Sequence, residues 1–303
     1  MMRATLLYLS EQRWLRHWVE TSSVTGKVTS RFVAGESLEQ GLAVARRLRD
    51  EKTLVTLDYL GENVHSIEEA RTSRDVYLRS LDGLNGMCPE ATVSIKLSQF
   101  GLELSPAACR ENVAQLVERA AAAGSRVEID MEGSAHTERT LDVVREMHGR
   151  FRAVRAVIQA YLYRSEADIR SLGAEGIPVR LCKGAYKEPP SVAFAKKAEV
   201  DANYVRLMKQ MLDSGTYPAI ASHDEAILNE ALRYVRERGY GAERFEFQML
   251  YGIRRDLQKM LVQKGFRLRL YVPYGNAWYP YFMRRLAERP ANVLFLARNL
   301  LRN

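Results

Sequence analysis

Val127-Glu128-Ile129-Asp130-Met131-Glu132 alternates apolar side chains with acids, one residue at a time. A period of two is the signature of a strand with two unlike faces. Val93-Ser94-Ile95-Lys96-Leu97-Ser98 repeats the pattern with a lysine among serines, and Val179-Arg180-Leu181-Cys182 and Phe245-Glu246-Phe247-Gln248 continue it. In a barrel the apolar face packs against helices and the other face points inward. An interior lined by Lys, Glu, Asp, Arg and Gln is costly unless those groups pair or bind something. Two readings fit: a structural ion-pair network filling the barrel, or a functional site. The placement of these residues toward the strand C-termini favours the second, because barrel active sites sit there.

Working outward, β-rich runs recur at 53–58, 91–97, 126–131, 155–161, 178–183, 217–223, 245–250 and 267–272. Their spacing is that of a βαβ unit. Segments with helical apolar periodicity fill the gaps, near 66–83, 105–123, 137–150, 165–174, 191–213, 225–239, 254–265 and 279–288. Ser105-Pro106 is a sharp helix start, and Gly124 and Gly215 stand where left-handed caps belong. Eight βα units after an N-terminal helical segment predict an α/β fold, a (β/α)8 TIM barrel. Residues 1–52 are expected to form a helical segment packing on the barrel, and residues 53–303 the catalytic barrel, one domain overall. A doubly wound open sheet also alternates strand and helix, but GxGxxG is absent and Asp58-Tyr59-Leu60-Gly61-Glu62 follows the first strand instead.

Composition narrows the function classes. The 303 residues are 47% apolar and 27% charged, ordinary for a globular protein. A net charge of +8 favours anionic small molecules, nucleotides or an anionic membrane surface. The basic residues are dispersed, and no zinc-finger or RRM pattern occurs, so no nucleic-acid partner is expected. Cys88, Cys109 and Cys182 suit a reducing cytoplasm, and the five scattered histidines offer no metal-ligand spacing. No run reaches the length of a signal peptide's apolar core or a membrane span. Trp14 and Trp18 could touch a membrane surface or pack the N-terminal helix on the barrel.

The polar groups that collect at the strand ends are Glu62, Lys96, Asp130, Gln159, Arg180, Lys183, His223, Gln248 and Tyr271. The last helix adds Tyr281, Arg284, Arg285 and Glu288, at i, i+3, i+4 and i+7. Pro280 belongs in its first turn. Two adjacent guanidiniums make a carboxylate clamp, although a solvated charged face is the plainer reading of that helix alone. No Ser-His-Asp or Cys-His pattern appears. Asp130 and Glu132 are a weak match to a glycosidase pair, and Lys96 or Lys183 could form a Schiff base. The excess of cations and aromatics points instead to an anionic small molecule beside a flat cofactor.

Val179-Arg180-Leu181-Cys182-Lys183-Gly184-Ala185-Tyr186 resembles a signature of the proline dehydrogenase family. Asp58–Glu62, Ser94–Ser98, Gln248–Gly252 and the block Tyr271–Glu288 are similar to its other signatures, in the family's order, over residues 28 to 298. The resemblance, closest to the monofunctional bacterial members, implies a (β/α)8 barrel that binds FAD non-covalently. It implies oxidation of L-proline to Δ1-pyrroline-5-carboxylate by hydride transfer to the flavin. A membrane quinone would accept the electrons, and a pyrroline-carboxylate dehydrogenase would be a functional partner. The location implied is cytoplasmic, with peripheral contact at the inner face of the membrane.

Carried over residue by residue, the resemblance implies that Arg284 and Arg285 clamp the substrate carboxylate with Lys96 as a third cation. Tyr271, Leu250 and Tyr281 would wall the ring, Asp130 would orient the nearby cations, and Glu62 would pair with Arg284 as a gate. Tyr281 is preferred to Tyr279 because it shares the face of the arginine pair. A large aromatic at Tyr271 predicts proline over 4-hydroxyproline. For the cofactor it implies Gln159, Arg180, Cys182 through its backbone, Lys183, Gly184, Ala185, Lys196, Lys197, Ser222, His223, Gln248 and Glu288. Three positions depart from the family: Cys182 stands for a usual Val, Lys196 for Arg, and Asp224 for Asn.

Overall fold

The structure is a computed structural model that describes residues 29–61, 64–88 and 90–288, with side chains described as far as residue 283. Eight parallel strands close into a barrel in sequential order, β1 (Leu54–Tyr59), β2 (Thr92–Lys96), β3 (Val127–Asp130), β4 (Val154–Gln159), β5 (Val179–Cys182), β6 (Ala219–Ala221), β7 (Glu246–Leu250) and β8 (Leu268–Tyr274). Closure is made by β1 against β8, from Leu54 opposite Arg269 to Tyr59 opposite Tyr274. The main helices among the described residues are α1 (Leu38–Asp50), α2 (Ile67–Leu84), α3 (Pro106–Ala122), α4 (Thr137–Phe151), α5 (Ser165–Ala174), α6 (Lys197–Ser214), α7 (Glu225–Glu237), α8 (Arg255–Gln263) and α9 (Trp278–Glu288).

Local chemistry sets the boundaries. Ser37 and Gln40 form a reciprocal capping box at the start of α1, which packs on β1 and β8. Ser105 accepts from the Ala108 amide at 3.3 Å with Pro106 in the first turn of α3. Gly215 closes α6 at φ +74°. Two elements are shorter than the sequence pattern suggests. Helix α6 begins at Lys197 rather than near residue 191, because residues 183–196 form a loop pinned by the bridge between Leu162 and Ala193. Strand β6 has only three residues, since Tyr217 turns to φ +55° before Pro218 and residues 222–224 leave the sheet at the mouth.

The alternation that marked the strands becomes the radial order of the barrel. Val93, Ile95, Val127, Ile129, Leu181 and Phe247 are buried in the apolar layer under the helices. Their polar neighbours point inward, since Glu128 on β3 accepts from Gln248 on β7, across the barrel. They stack in two layers. Thr56, Thr92, Glu128, Glu246 and Arg269 form a lower layer with Arg155. Two residues further along the same strands stand Asp58, Ser94, Asp130, Gln248 and Tyr271, one pleat nearer the mouth. The inward charges therefore divide by depth into a closed floor and a layer nearer the mouth.

Candidate active site

The lower layer is a sealed ion-pair cluster. Arg155 Nη1 lies 3.1 Å from Glu128 and 2.6 Å from Glu246, and all three side chains are closed to solvent. Arg269 reaches Glu246 at 2.8 Å. Burial penalises both carboxylates, but Arg155 and its companion guanidiniums outweigh it and hold Glu128 and Glu246 below the usual carboxylate range.

The upper layer opens to the mouth. Lys96, last residue of β2, places its Nζ 3.2 Å from Asp58, 3.5 Å from Asp130 and 3.3 Å from the Tyr271 hydroxyl. Burial works against the ammonium, but Asp58 and Asp130 outweigh it and raise its pKa above the ordinary lysine value. Tyr271 donates to Asp130 at 3.1 Å, and burial followed by the Asp130 charge pushes its phenol well up. Arg180 pairs with Asp130 and donates to Ser94 at 2.9 Å and to Gln248 at 3.3 Å. Its Cζ lies 5.4 Å from the centre of the Tyr271 ring. One lysine, one arginine, two carboxylates and a tyrosine thus form a connected patch beneath the opening.

A second group lines the adjoining strand ends, β4 to β7. Gln159 donates to the Glu132 carbonyl at 2.9 Å and accepts from the Ala185 amide at 3.2 Å, tying the end of β3 to the loop after β5. Gly184 has φ +121°, and a Cβ there would stand 2.3 Å from the Tyr161 ring, so only glycine fits. Lys183 sits between Asp201 at 2.5 Å and Asp224 at 2.7 Å, and Lys197 pairs with the same two acids. Ser222 is buried and accepts from the Asp224 amide at 3.1 Å. His223 Nε2 accepts from the Leu250 amide at 2.8 Å, which assigns its proton to Nδ1. Burial pushes the Cys182 thiol up to about 11, so it is neutral at ordinary pH.

Lys196, named from sequence, lies apart. It is mainly solvent-exposed, 3.7 Å from Glu199, and has no ion pair with Asp201 or Asp224 among the described residues. Leu250 stands opposite Tyr271 in the register of β7 and β8 and packs with Tyr279, Tyr281, Phe32, Trp278 and Phe282, so this cluster adjoins the patch at Tyr271. Arg284, Arg285 and Glu288 fall on α9, but their side chains, like Glu62 and the segment bearing Trp14 and Trp18, lie outside the described residues. Asp58 also belongs to the patch, beyond the site residues named from sequence. Its signal was available: it stands two residues after Thr56 at the end of β1, on the inward face.

The donor set on β4 to β7 matches the chemistry of a flavin dinucleotide. A guanidinium, a histidine and strand-end backbone could meet the ring system, and two ammoniums could meet a diphosphate. Those ammoniums are already matched by two carboxylates, so the phosphate end would meet a neutral cluster.

Fold and site together define a (β/α)8 enzyme with its polar patch at the C-terminal ends of the strands. A sequence model of the family described as proline dehydrogenase matches residues 42–298. Proline dehydrogenase 1 of Bacillus subtilis strain 168 is 38% identical over 302 residues, covering 100% of both chains. Proline dehydrogenase of Deinococcus radiodurans is 40% identical over 280 residues, 91% of this chain and 90% of that protein. The crystal structure of proline utilization A from Bdellovibrio bacteriovorus, inactivated by N-propargylglycine, superposes with a TM-score of 0.80 at 28% identity. That match covers 87% of this chain and 33% of the larger one. The chain belongs to the proline dehydrogenase family, and its reaction is the oxidation of proline.

Proposed function

We propose that the enzyme oxidises L-proline to Δ1-pyrroline-5-carboxylate with non-covalently bound FAD, on the mouth patch built around Lys96. When bound, FAD would supply the hydride acceptor, and a membrane quinone would be the final acceptor of the electrons. Lys96 contributes a fixed positive charge for the substrate carboxylate, with Arg284 and Arg285 from α9 completing the clamp and Glu62 closing over it. Asp130 keeps Lys96, Arg180 and Tyr271 in register. Tyr271, Leu250 and Tyr281 wall the pyrrolidine ring, and Tyr271 leaves little room for a ring hydroxyl. Gln159, Arg180, Lys183, Gly184, Ala185, Ser222, His223 and Gln248, the Cys182 backbone, Lys196, Lys197 and Glu288 form the cofactor side.

The observation that carries this reading is the clamping of Lys96 by two carboxylates. A lysine held protonated is a binding cation and a poor nucleophile, which disfavours Schiff-base chemistry. The product would pass to a pyrroline-carboxylate dehydrogenase. The enzyme would work in the cytoplasm with peripheral membrane contact. No helix among the described residues is long and apolar enough to cross a membrane.

The test is an anaerobic absorbance spectrum of the purified protein before and after L-proline. Flavin bands that bleach on addition are expected. A protein that shows no flavin band even after incubation with FAD would overturn the cofactor assignment.

A further inference from the structure

The floor and the mouth of the barrel share one side chain. Glu128 is closed to solvent on β3. Its Oε1 accepts from Thr92 at 3.1 Å and from Arg155 at 3.1 Å. Its Oε2 stands 3.2 Å from Arg180 Nη1 and 3.2 Å from Gln248 Nε2. Gln248 Nε2 also donates to Glu246 at 2.8 Å, while its Oε1 accepts from Arg180. An amide whose nitrogen faces two carboxylates and whose oxygen faces a guanidinium has one favourable orientation.

Arg180 is therefore gripped on two edges. Asp130 and Ser94 hold Nη2, and Glu128 and Gln248 hold Nη1. A planar guanidinium held at both ends has its plane fixed. Without Glu128, the one carboxylate among the described residues left on Arg180 is Asp130, which Lys96 and Tyr271 also use.

We propose that Glu128 is a positioning residue for proline oxidation, setting the plane of Arg180 at the mouth from the floor of the barrel. It acts through its direct contact with Arg180 and touches neither substrate nor cofactor. The inference rests on the proposed placement of Arg180 on the cofactor side. Glu246 is the internal control, since it is equally buried and shares Arg155 and Gln248 but pairs with Arg269 instead of Arg180.

The experiment compares E128Q with E246Q in the FAD-loaded enzyme. Both variants should melt below the wild type. Only E128Q should lose kcat, on the order of tenfold, with the proline KM kept within about twofold, because misorientation harms the reacting geometry and not uniform binding. Removing the negative charge beneath Arg180 should also move the bound flavin's midpoint potential in the positive direction, more than in E246Q. Equal changes in the two variants would reduce Glu128 to a structural charge and overturn the proposal.

If E128Q does not fold, E128D keeps the charge of the floor and withdraws the carboxylate from Arg180. The same kcat loss is expected, and wild-type kcat in E128D would overturn the inference. Nitrogen-15 spectra of arginine side chains read the contact in the apoprotein. The Arg180 guanidinium signal should shift in E128Q or E128D far more than in E246Q. A chain that binds no FAD but shows that shift would fail the cofactor reading while keeping the grip on Arg180.

Discussion

Lys96 shows how one side chain takes its role from its neighbours. A lysine at the end of a barrel strand could be a nucleophile, a base or a binding cation. Asp58 and Asp130 select the last, because they stabilise the ammonium against the cost of burial. Its raised pKa keeps it charged across the working range, so the proline KM should show no alkaline limb from Lys96. Charged hydrogen bonds contribute about 1.5–3 kcal/mol, so K96M should raise the proline KM roughly tenfold to a hundredfold. Steady-state kinetics read this directly.

The elements that carry the site differ in how plainly the sequence announces them. The strands were legible because their two faces carry unlike chemistry, as in Val127–Asp130. The inward-facing polar residues on their upper halves were legible for the same reason. What periodicity could not tell is depth. Glu128 and Asp130 look alike in sequence, but one is sealed in the floor and the other faces the mouth, because one pleat along a tilted strand changes the layer. Asp58 was obscured because β1 is otherwise apolar, Leu54 to Leu57 giving it only Thr56 as an inward marker. The loop at 183–196 was read in part as helix, since its tie to Leu162 is a long-range contact that no local pattern contains.

At the start of α7 a cap and an ion-pair partner are the same residue. Asp224 accepts from the Ala226 amide at 3.1 Å and also neutralises Lys183 and Lys197. Asn caps a helix about as well as Asp but carries no charge. D224N should therefore leave the melting temperature nearly unchanged and free part of the lysine charge for an anionic ligand. Exposed pairs contribute about 0.2–1 kcal/mol, so FAD should bind roughly two- to fivefold more tightly, measurable by titration of the apoprotein. Weaker FAD binding in D224N would mean that the lysines do not face the cofactor.

The whole barrel depends on keeping its buried floor balanced in charge. Arg155 is the hub, fully buried between Glu128 and Glu246. Well-packed apolar residues can replace a complete buried ion pair, but removing one partner strands the other, at a cost of about 3–5 kcal/mol. R155M should lower stability by that order, read as the urea midpoint at neutral pH. The acid side gives a sharper test. Glu128 and Glu246 have native pKa values below their unfolded value of 4.5. Their contribution to stability is complete above that value and is lost as pH falls through the lower native pKa. Without Arg155 the native carboxylates titrate at higher pH, so the acid unfolding midpoint should move upward. Circular dichroism followed from neutral to acidic pH measures it, and an unchanged midpoint would show that Arg155 does not set the charge state of the floor.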